Sequence, residues 1–255
     1  MAKAIYKAPA LDKGLEIIEL LAGQPAPMAM PEIAQRLGRS KTEIYRMLVV
    51  LEGRGYIRRG EHDDRYRITS RLFELGMRNP PMRNLHDAAL PVMLKLAEQS
   101  QQSCHLGVIV GDDDQVVIVA RVESPAAVGF SVRVGYRVSV VNSASARVIF
   151  GAQPDARQAE LMRIWRARKL DHAALDDFTA GSAEAAKRGY LLEPSRMAGG
   201  IRDIGAPVYD GEALGAVAGL ITPYIARAAS GPSIDDVVTL TVEAAQSISD
   251  RLKHG

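Results

Sequence analysis

The stretch RLGRSKTEIYRMLVVLEGRGYIRR, Arg36 to Arg59, carries seven basic and two acidic residues beside a regular apolar stripe. Ile44, Met47, Leu48 and Leu51 recur at i, i+3, i+4 and i+7, the spacing of a helix with one face turned to a core. Ser40 is placed to cap that helix, and Glu43 can reach back to complete a capping box. Gly53 or Gly55 ends it. Upstream, MPEIAQRLG has Pro31 in a first turn, Ile33, Ala34 and Leu37 as a stripe, and Gly38 as a stop. Before it, LDKGLEIIELLA puts Leu11, Leu15, Ile18, Leu21 and Ala22 on one face, and GQPAP breaks the pattern. Downstream the period changes to two. YIRRG and RYRIT flank EHDD, the signature of a β-hairpin. Three helices and a hairpin, with a tight turn at Gly38, make a helix-turn-helix with a wing.

The basic residues then acquire a meaning. A charge run alone is usually a solvated face. Here it lies where a helix-turn-helix offers its second helix to the major groove. Arg39, Ser40, Lys41, Thr42, Tyr45 and Arg46 stand at or near the N-terminal half of that helix, off the apolar stripe, and Val49 follows. Arg and Lys can donate to guanine, and Thr can meet a thymine methyl. Arg58, Arg59, Arg65 and Arg67 lie on the wing strands, placed for phosphates or the minor groove. Glu61, His62, Asp63 and Asp64 at the wing tip would repel phosphate, so the strands rather than the tip are expected to make contact. Residues 1–70 hold 12 Lys/Arg and 9 Asp/Glu, a charge of +3, whereas the whole chain is +2. The expected partner is double-stranded DNA.

Other classes are set aside by composition. At 255 residues the chain has room for one large domain or two ordinary ones. Its single cysteine, Cys104, allows neither an internal disulfide nor a multi-cysteine zinc site. The first residues, MAKAIYKAPALDKG, lack an apolar secretory core, and the longest apolar run, around Ala213 to Ile221, is far short of the ~20 residues that span a bilayer. A soluble cytoplasmic protein with no membrane partner is expected. The five histidines show no metal-ligand spacing. Cys104 and His105 are adjacent, but strand neighbours point to opposite faces, so they cannot act as nucleophile and base. No G-x-S-x-G elbow, P-loop or G-x-G-x-x-G is present. Asp112, Asp113 and Asp114 fit a hairpin turn better than a metal cluster. Neither enzymatic activity nor a cofactor is expected.

RLFELGMRNPPMRN closes the N-terminal unit, with Pro80 and Pro81 breaking the helix that Arg71 begins. A helical pattern then runs from Leu85 to Ser100, with Leu85, Ala89, Val92, Met93 and Leu96 on one side. That face fits a connecting helix and dimer contact, or packing on its own domain. CHLGVIVG, QVVIVARV and VGFSVRVG have strand patterns. Residues 143–151 and 154–165 are helical in pattern, GYLLEP is a strand, and GIRDIGAPVYD with ALGAVAGLIT a hairpin. IDDVVTLTVEAAQSISDRL is a closing amphipathic helix. Strands and helices without strict alternation predict an α+β fold around an antiparallel sheet. The expected division is a winged helix-turn-helix over 8–70, linker helices over 71–101 and a second domain over 102–255.

In order and spacing, the chain resembles the IclR family of bacterial transcription regulators over nearly its whole length. The N-terminal likeness rests on ALDKGLEIIELLA, EIAQRLGRSKTEIYRMLVVLEGRGYIRR and RYRITSRLFELG. The C-terminal likeness rests on RVESPAAVGFSVRVGYR, KRGYLLE and GIRDIGAPVYD. The resemblance implies a GAF-like effector-binding domain, homodimers that pair into tetramers, and a small-molecule effector that changes operator binding. It implies a repressor of catabolic genes released by that effector. The alternatives are an activator of the same architecture or an architectural DNA-binding protein.

By the same resemblance, the effector site would involve Asn142, Ser143, Ala144, Ser145, Glu193, Asp203, Gly219 and Ile221. Several positions depart from the family's pattern. VVNSASARVIFG has Ala146-Arg147 where the family has Gly-Lys, and Asp203 stands where it often has cysteine. Glu193 and Asp203 would repel a carboxylate, because like charges in a low-dielectric site are costly. A neutral or donor-rich effector, with an aromatic one included, is therefore expected. The structural alternatives are that Asn142, Ser143 and Ser145 cap a helix and that Asp203 pairs with Arg202 or Arg133.

Overall fold

A computed structural model describes residues 8–60, 63–78, 80–111, 114–168, 170–211, 215–226 and 231–254. Glu61, His62, Asp112 and Asp113, singled out above, lie outside them. The chain forms two compact units, Met1–Pro80 and Pro81–Gly255.

The N-terminal unit contains α1 (Pro9–Ala22), α2 (Met30–Leu37) and α3 (Lys41–Gly53), then strands β2 (Ile57–Arg59) and β3 (Arg65–Ile68), and α4 (Arg71–Met77). A two-residue strand, β1 (Met28–Ala29), adds to the hairpin and gives the order β1-β3-β2, all antiparallel. Its core is Ile17, Leu21, Met28, Ile33, Ile44, Leu48, Leu51, Ile57 and Tyr66 with Ala34. Each large apolar side chain buried here contributes roughly 1.5–3 kcal/mol. On α1 the core face differs from the expected stripe. Ile17 is fully buried and Leu21 nearly so, whereas Leu11 and Leu15 are 62% and 48% exposed. The first turns of α1 are apolar on more than one side, and only the Ile17–Leu21 side meets α2 and α3.

Ser40 caps α3. Its hydroxyl accepts the Glu43 N–H at 3.3 Å, and the Glu43 carboxylate accepts from Ser40 N and Oγ at 3.2 and 2.9 Å. Gly38 ends α2 in the left-handed region at φ +62°, where a side chain would be strained, so the tight turn between α2 and α3 requires it.

The second unit begins with α5 (Pro80–Ser100). It continues through β4 (Cys104–Ile109), β5 (Gln115–Val122), β6 (Arg137–Ser139), a short 3₁₀ turn (Val140–Asn142), α6 (Ala144–Gly151), α7 (Asp155–Ala167) and α8 (His172–Arg188). β7 (Leu191–Pro194), β8 (Arg202–Tyr209), β9 (Ala216–Tyr224) and α9 (Ile234–His254) complete it. Among the described residues one six-stranded antiparallel sheet has the order β6-β5-β4-β9-β8-β7.

One sheet face sends Leu106, Ala206, Val208, Ala218 and Leu220 into a core with Leu85, Ala89, Val92, Met93 and Leu96 of α5 and Ala244, Ala245 and Ile248 of α9. A buried hydrogen bond from Thr241 to Thr222, 2.9 Å, ties α9 to β9. The apolar face of α5 is thus covered within its own unit. The segment 71–101 is divided, with α4 in the first unit and α5 in the second.

The other face carries α6 at close range. A Cβ on Gly219 would lie 2.8 Å from the Ser145 carbonyl oxygen, and one on Gly107 2.5 Å from Ser145 Oγ. Behind α6, Phe150, Trp165 and Phe178 pack with centroids 5.2–5.6 Å apart.

Two readings need correction. VGFSVRVG is not a strand: residues 128–134 are irregular, and pairing resumes only where Gly135 N–H donates to Ile118 at 2.8 Å. The alternation there is between cavity and solvent, since Phe130 and Val132 line a cavity while Val128 and Val134 are exposed. Helix α8 carried no assignment; Asp171 caps it and Gly189, at φ +79°, ends it.

Candidate nucleic-acid interface and ligand cavity

On α3 the residues opposite the buried Ile44, Leu48 and Leu51 face solvent. Lys41, Thr42 and Arg46 are exposed, Tyr45 is 54% exposed and Val49 49%. Among the described residues, none of these five side chains has a hydrogen-bonding or ionic partner, and the same holds for Arg58 on β2. The helix bearing them is braced from behind. Lys13 pairs with Glu43, and Glu16 holds Arg39 at 3.0 Å. Lys13 and the Ser40 cap together hold the Glu43 carboxyl down at about 2.

The other wing arginines are occupied. Arg59 pairs with Asp64 at 3.0 Å and lies 5.9 Å over the Tyr66 ring. Arg65 pairs with Glu32 at 3.1 Å and donates to the Pro27 carbonyl, and Arg67 pairs with Asp63 at 3.3 Å. Two wing-tip acids thus neutralise Arg59 and Arg67, while Glu32 of α2 neutralises Arg65. The ten residues singled out divide into three groups. Lys41, Thr42, Tyr45, Arg46 and Arg58 are exposed without partners. Arg39, Arg59, Arg65 and Arg67 are exposed or half-exposed within ion pairs. Ser40 belongs to the cap. An unpaired guanidinium or ammonium meets phosphate or base without first giving up a partner, so the first group has the greater capacity for contact.

In the second unit, a small cavity of about 30 Å³ opens between the sheet and the start of α6. The sheet supplies His105, Ile118, Asp203 and Ile221. The irregular 128–136 segment supplies Phe130, Val132 and Tyr136. Asn142, Ser143, Ala144 and Ser145 come from the turn into α6, and Ser195 and Met197 from the loop after β7. Six of the eight expected effector residues therefore line one cavity. Gly219 instead forms the floor under α6. Glu193 sits beside the cavity, across the strand pair from Asp203, and faces Arg147 at 3.5 Å. Ser143 also performs its structural duty, since its hydroxyl accepts the Ala146 N–H at 3.2 Å. Asp203 forms no ion pair with Arg202 or Arg133 among the described residues.

Charge in the cavity is one-sided. Burial pushes the Asp203 carboxyl up to about 6; the Ser195 hydroxyl draws it back and Glu193 adds to the rise. Burial also lowers His105 to about 4, so at neutral pH it is an uncharged imidazole. Among the described residues, neither Lys nor Arg lines the cavity. The nearby cation, Arg147, is only 1% exposed and is committed elsewhere. Its Nη1 donates to the Asp177 carbonyl at 3.0 Å and Nη2 to the Asp177 carboxylate at 2.6 Å. Arg196 shares that carboxylate at 2.6 Å. Hydrogen bonding by Arg147 lowers the Asp177 carboxyl, whereas burial raises Glu193. The Arg147 anchor and the 128–136 wall are the parts that sequence reasoning missed. For Arg147 the signal was a basic residue at a position flanked by core apolars in ARVIF.

Cys104, on the opposite face, sets its thiol 3.5 Å from the Met93 carbonyl oxygen, and burial pushes it up to about 12. The described residues contain no group of His, Cys, Asp and Glu able to hold a metal, and no helix long and apolar enough to cross a membrane.

Comparison with known proteins gives the same division. Residues 10–61 match the IclR helix-turn-helix domain, and residues 81–250 match the bacterial transcriptional regulator IclR C-terminal domain. The acetate operon repressor of Salmonella typhimurium is 24% identical over 253 residues, covering 94% of this chain and 88% of its own. The transcriptional repressor IclR of Escherichia coli is 22% identical, with 97% and 91% covered. The crystal structure of an IclR homologue from Microbacterium hydrocarbonoxydans, complexed with 4-hydroxybenzoate, superposes with a TM-score of 0.79 at 20% identity. It covers 96% of this chain and all of its own.

Proposed function

The chain belongs to the IclR family of bacterial transcriptional regulators, and from that premise we propose that it is a repressor whose hold on operator DNA a small-molecule effector releases. One observation carries the reading: Lys41, Thr42, Tyr45 and Arg46 stand exposed and unpartnered on a helix whose start is capped and braced. Side chains that neither pack nor pair are free to read base edges. Arg58, on the wing, serves phosphate.

The protein acts as a homodimer, and as a dimer of dimers, so that two recognition helices meet two half-sites of a near-palindromic operator. The effector occupies the cavity bounded by His105, Asp203 and the start of α6. It makes different contacts in two conformations of the C-terminal unit and so shifts their balance. Helix α5, packed into that unit, passes the shift on. The regulated genes serve catabolism, in keeping with the acetate operon repressor among its relatives. The working compartment is the cytoplasm.

The test is a DNA-binding titration against the chain's own upstream region and a scrambled duplex, at two salt concentrations, with and without a metabolite library. Selective binding weakened by one compound is the expected result. Equal binding to both duplexes would make the protein an architectural one, and binding strengthened by the compound would reverse the sign.

A further inference from the structure

The cavity offers hydrogen bonding of two kinds at once. Asp203 and His105, both more than nine-tenths buried, stand in its wall, and His105 has no hydrogen-bond partner among the described residues. Asp203 is an acceptor, with the Ser195 hydroxyl beside it and Glu193 opposite on β7. The turn into α6 forms another part of the wall. Ser143 Oγ takes the Ala146 N–H, whereas the first-turn N–H groups of Ala144 and Ser145 have no acceptor within the helix. These N–H groups call for a carbonyl oxygen. Phe130, Val132 and Ile118 supply apolar surface between.

We propose that this cavity selects an uncharged amide on a flat apolar body, with Asp203 accepting the amide N–H and the start of α6 donating to its carbonyl. The inference rests on the cavity being the effector site. A carboxylate offers acceptors only and sets a second negative charge beside Asp203, with no Lys or Arg among the described residues of the wall to offset it; Glu193 is already met by Arg147 at 3.5 Å. The one buried guanidinium nearby, Arg147, has both terminal nitrogens on Asp177. An ammonium satisfies Asp203 but leaves the α6 N–H groups facing a cation.

The experiment is calorimetric titration of the full chain at pH 7.5 with benzamide, benzoate and benzylamine, which share one ring and differ in the group that decides. Benzamide is expected to bind at least about tenfold more tightly than benzoate, the size of one like-charge contact in a shielded site. Asp203→Asn keeps an acceptor and removes the charge, so it should close that ratio, chiefly through gained benzoate binding. Val132→Trp, which fills the cavity, should abolish binding of all three. Thermal unfolding of both variants checks that they fold. Benzoate or benzylamine binding as tightly as benzamide overturns the inference, as does a ratio that Asp203→Asn leaves unchanged or no binding by any of the three. If Val132→Trp abolishes a benzoate-preferring site, only the ligand class falls. If benzamide binds Val132→Trp unchanged, the ligand lies elsewhere, and the cavity falls with it as the effector site.

Discussion

Replacing Asp203 by Asn should make the second unit more stable at alkaline pH and leave it nearly unchanged in acid. The folded state keeps the Asp203 proton up to about pH 6, whereas the ordinary carboxyl releases it near 3.8. Between those values the folded protein holds more protons than the unfolded one, so raising the pH destabilises the fold. The gap is roughly two pH units at ~1.4 kcal/mol each, or about 3 kcal/mol once both states are ionised. Asparagine resembles the protonated acid and carries no such penalty.

Urea unfolding of the full chain at pH 4 and pH 8, followed by tryptophan fluorescence, measures it. Trp165 is the chain's single tryptophan and is fully buried in the second unit, so the signal reports that unit. His105 titrates in the opposite sense. Its folded value is about 4 against an ordinary 6.5, so acidification through that window costs stability. That loss is common to both proteins and drops out of the difference. Asp203→Asn should therefore gain up to about 3 kcal/mol at pH 8 and well under 1 kcal/mol at pH 4. Equal stability at pH 8, or a less stable variant there, would show that Asp203 is satisfied in the fold and would refute the argument.

Other perturbations separate the roles assigned above. Lys41→Ala and Arg46→Ala should each cost about 1–3 kcal/mol of operator binding and relax sequence preference, read by titrating matched duplexes. Arg58→Ala should weaken all sequences about equally and flatten the salt dependence, while Arg59→Ala, already neutralised by Asp64, should do so less. Ser40→Ala removes the α3 cap and should cost ~1 kcal/mol of stability in the N-terminal unit, measured by circular dichroism of the full chain. Gly181→Ala would place a Cβ on the Arg147 guanidinium. It should evict that side chain from Asp177 and lower the unfolding free energy, read from the urea transition of Trp165 fluorescence, by an amount typical of a broken buried pair, about 3 kcal/mol.

What was legible in the chain was local. The capping box of Ser40 and Glu43, the stripe of Ile44, Leu48 and Leu51, and the period-two wing all involve residues a few positions apart, and periodicity reports such contacts directly. What was not legible was set at a distance. The Lys13–Glu43 and Glu16–Arg39 braces join residues 30 and 23 positions apart, and the Arg147–Asp177 pair depends on α8, which carried no assignment. Leu11 and Leu15 show why composition misleads on a short helix. Several sides are apolar, and only tertiary packing chooses Ile17. Phe130 and Val132 alternate like a strand because one side meets a cavity and the other water. The eight expected effector positions came from likeness of motif. It brought Asn142 to Ser145, Asp203 and Ile221 together but could not distinguish Gly219, which the helix needs, from a ligand contact.

The double brace on α3 has a bearing on how such a regulator changes over generations. The duty of holding the helix in place falls on Ser40, Glu43 and Arg39, with Lys13 and Glu16 behind them. Positions 41, 42, 45, 46 and 49 carry none of it. If these positions read the operator as proposed, a gene copy can therefore accumulate substitutions there while its fold stays intact, and drift toward a new operator without passing through an unfolded ancestor. The same separation makes those five positions the place to randomise in a library, with the brace left alone.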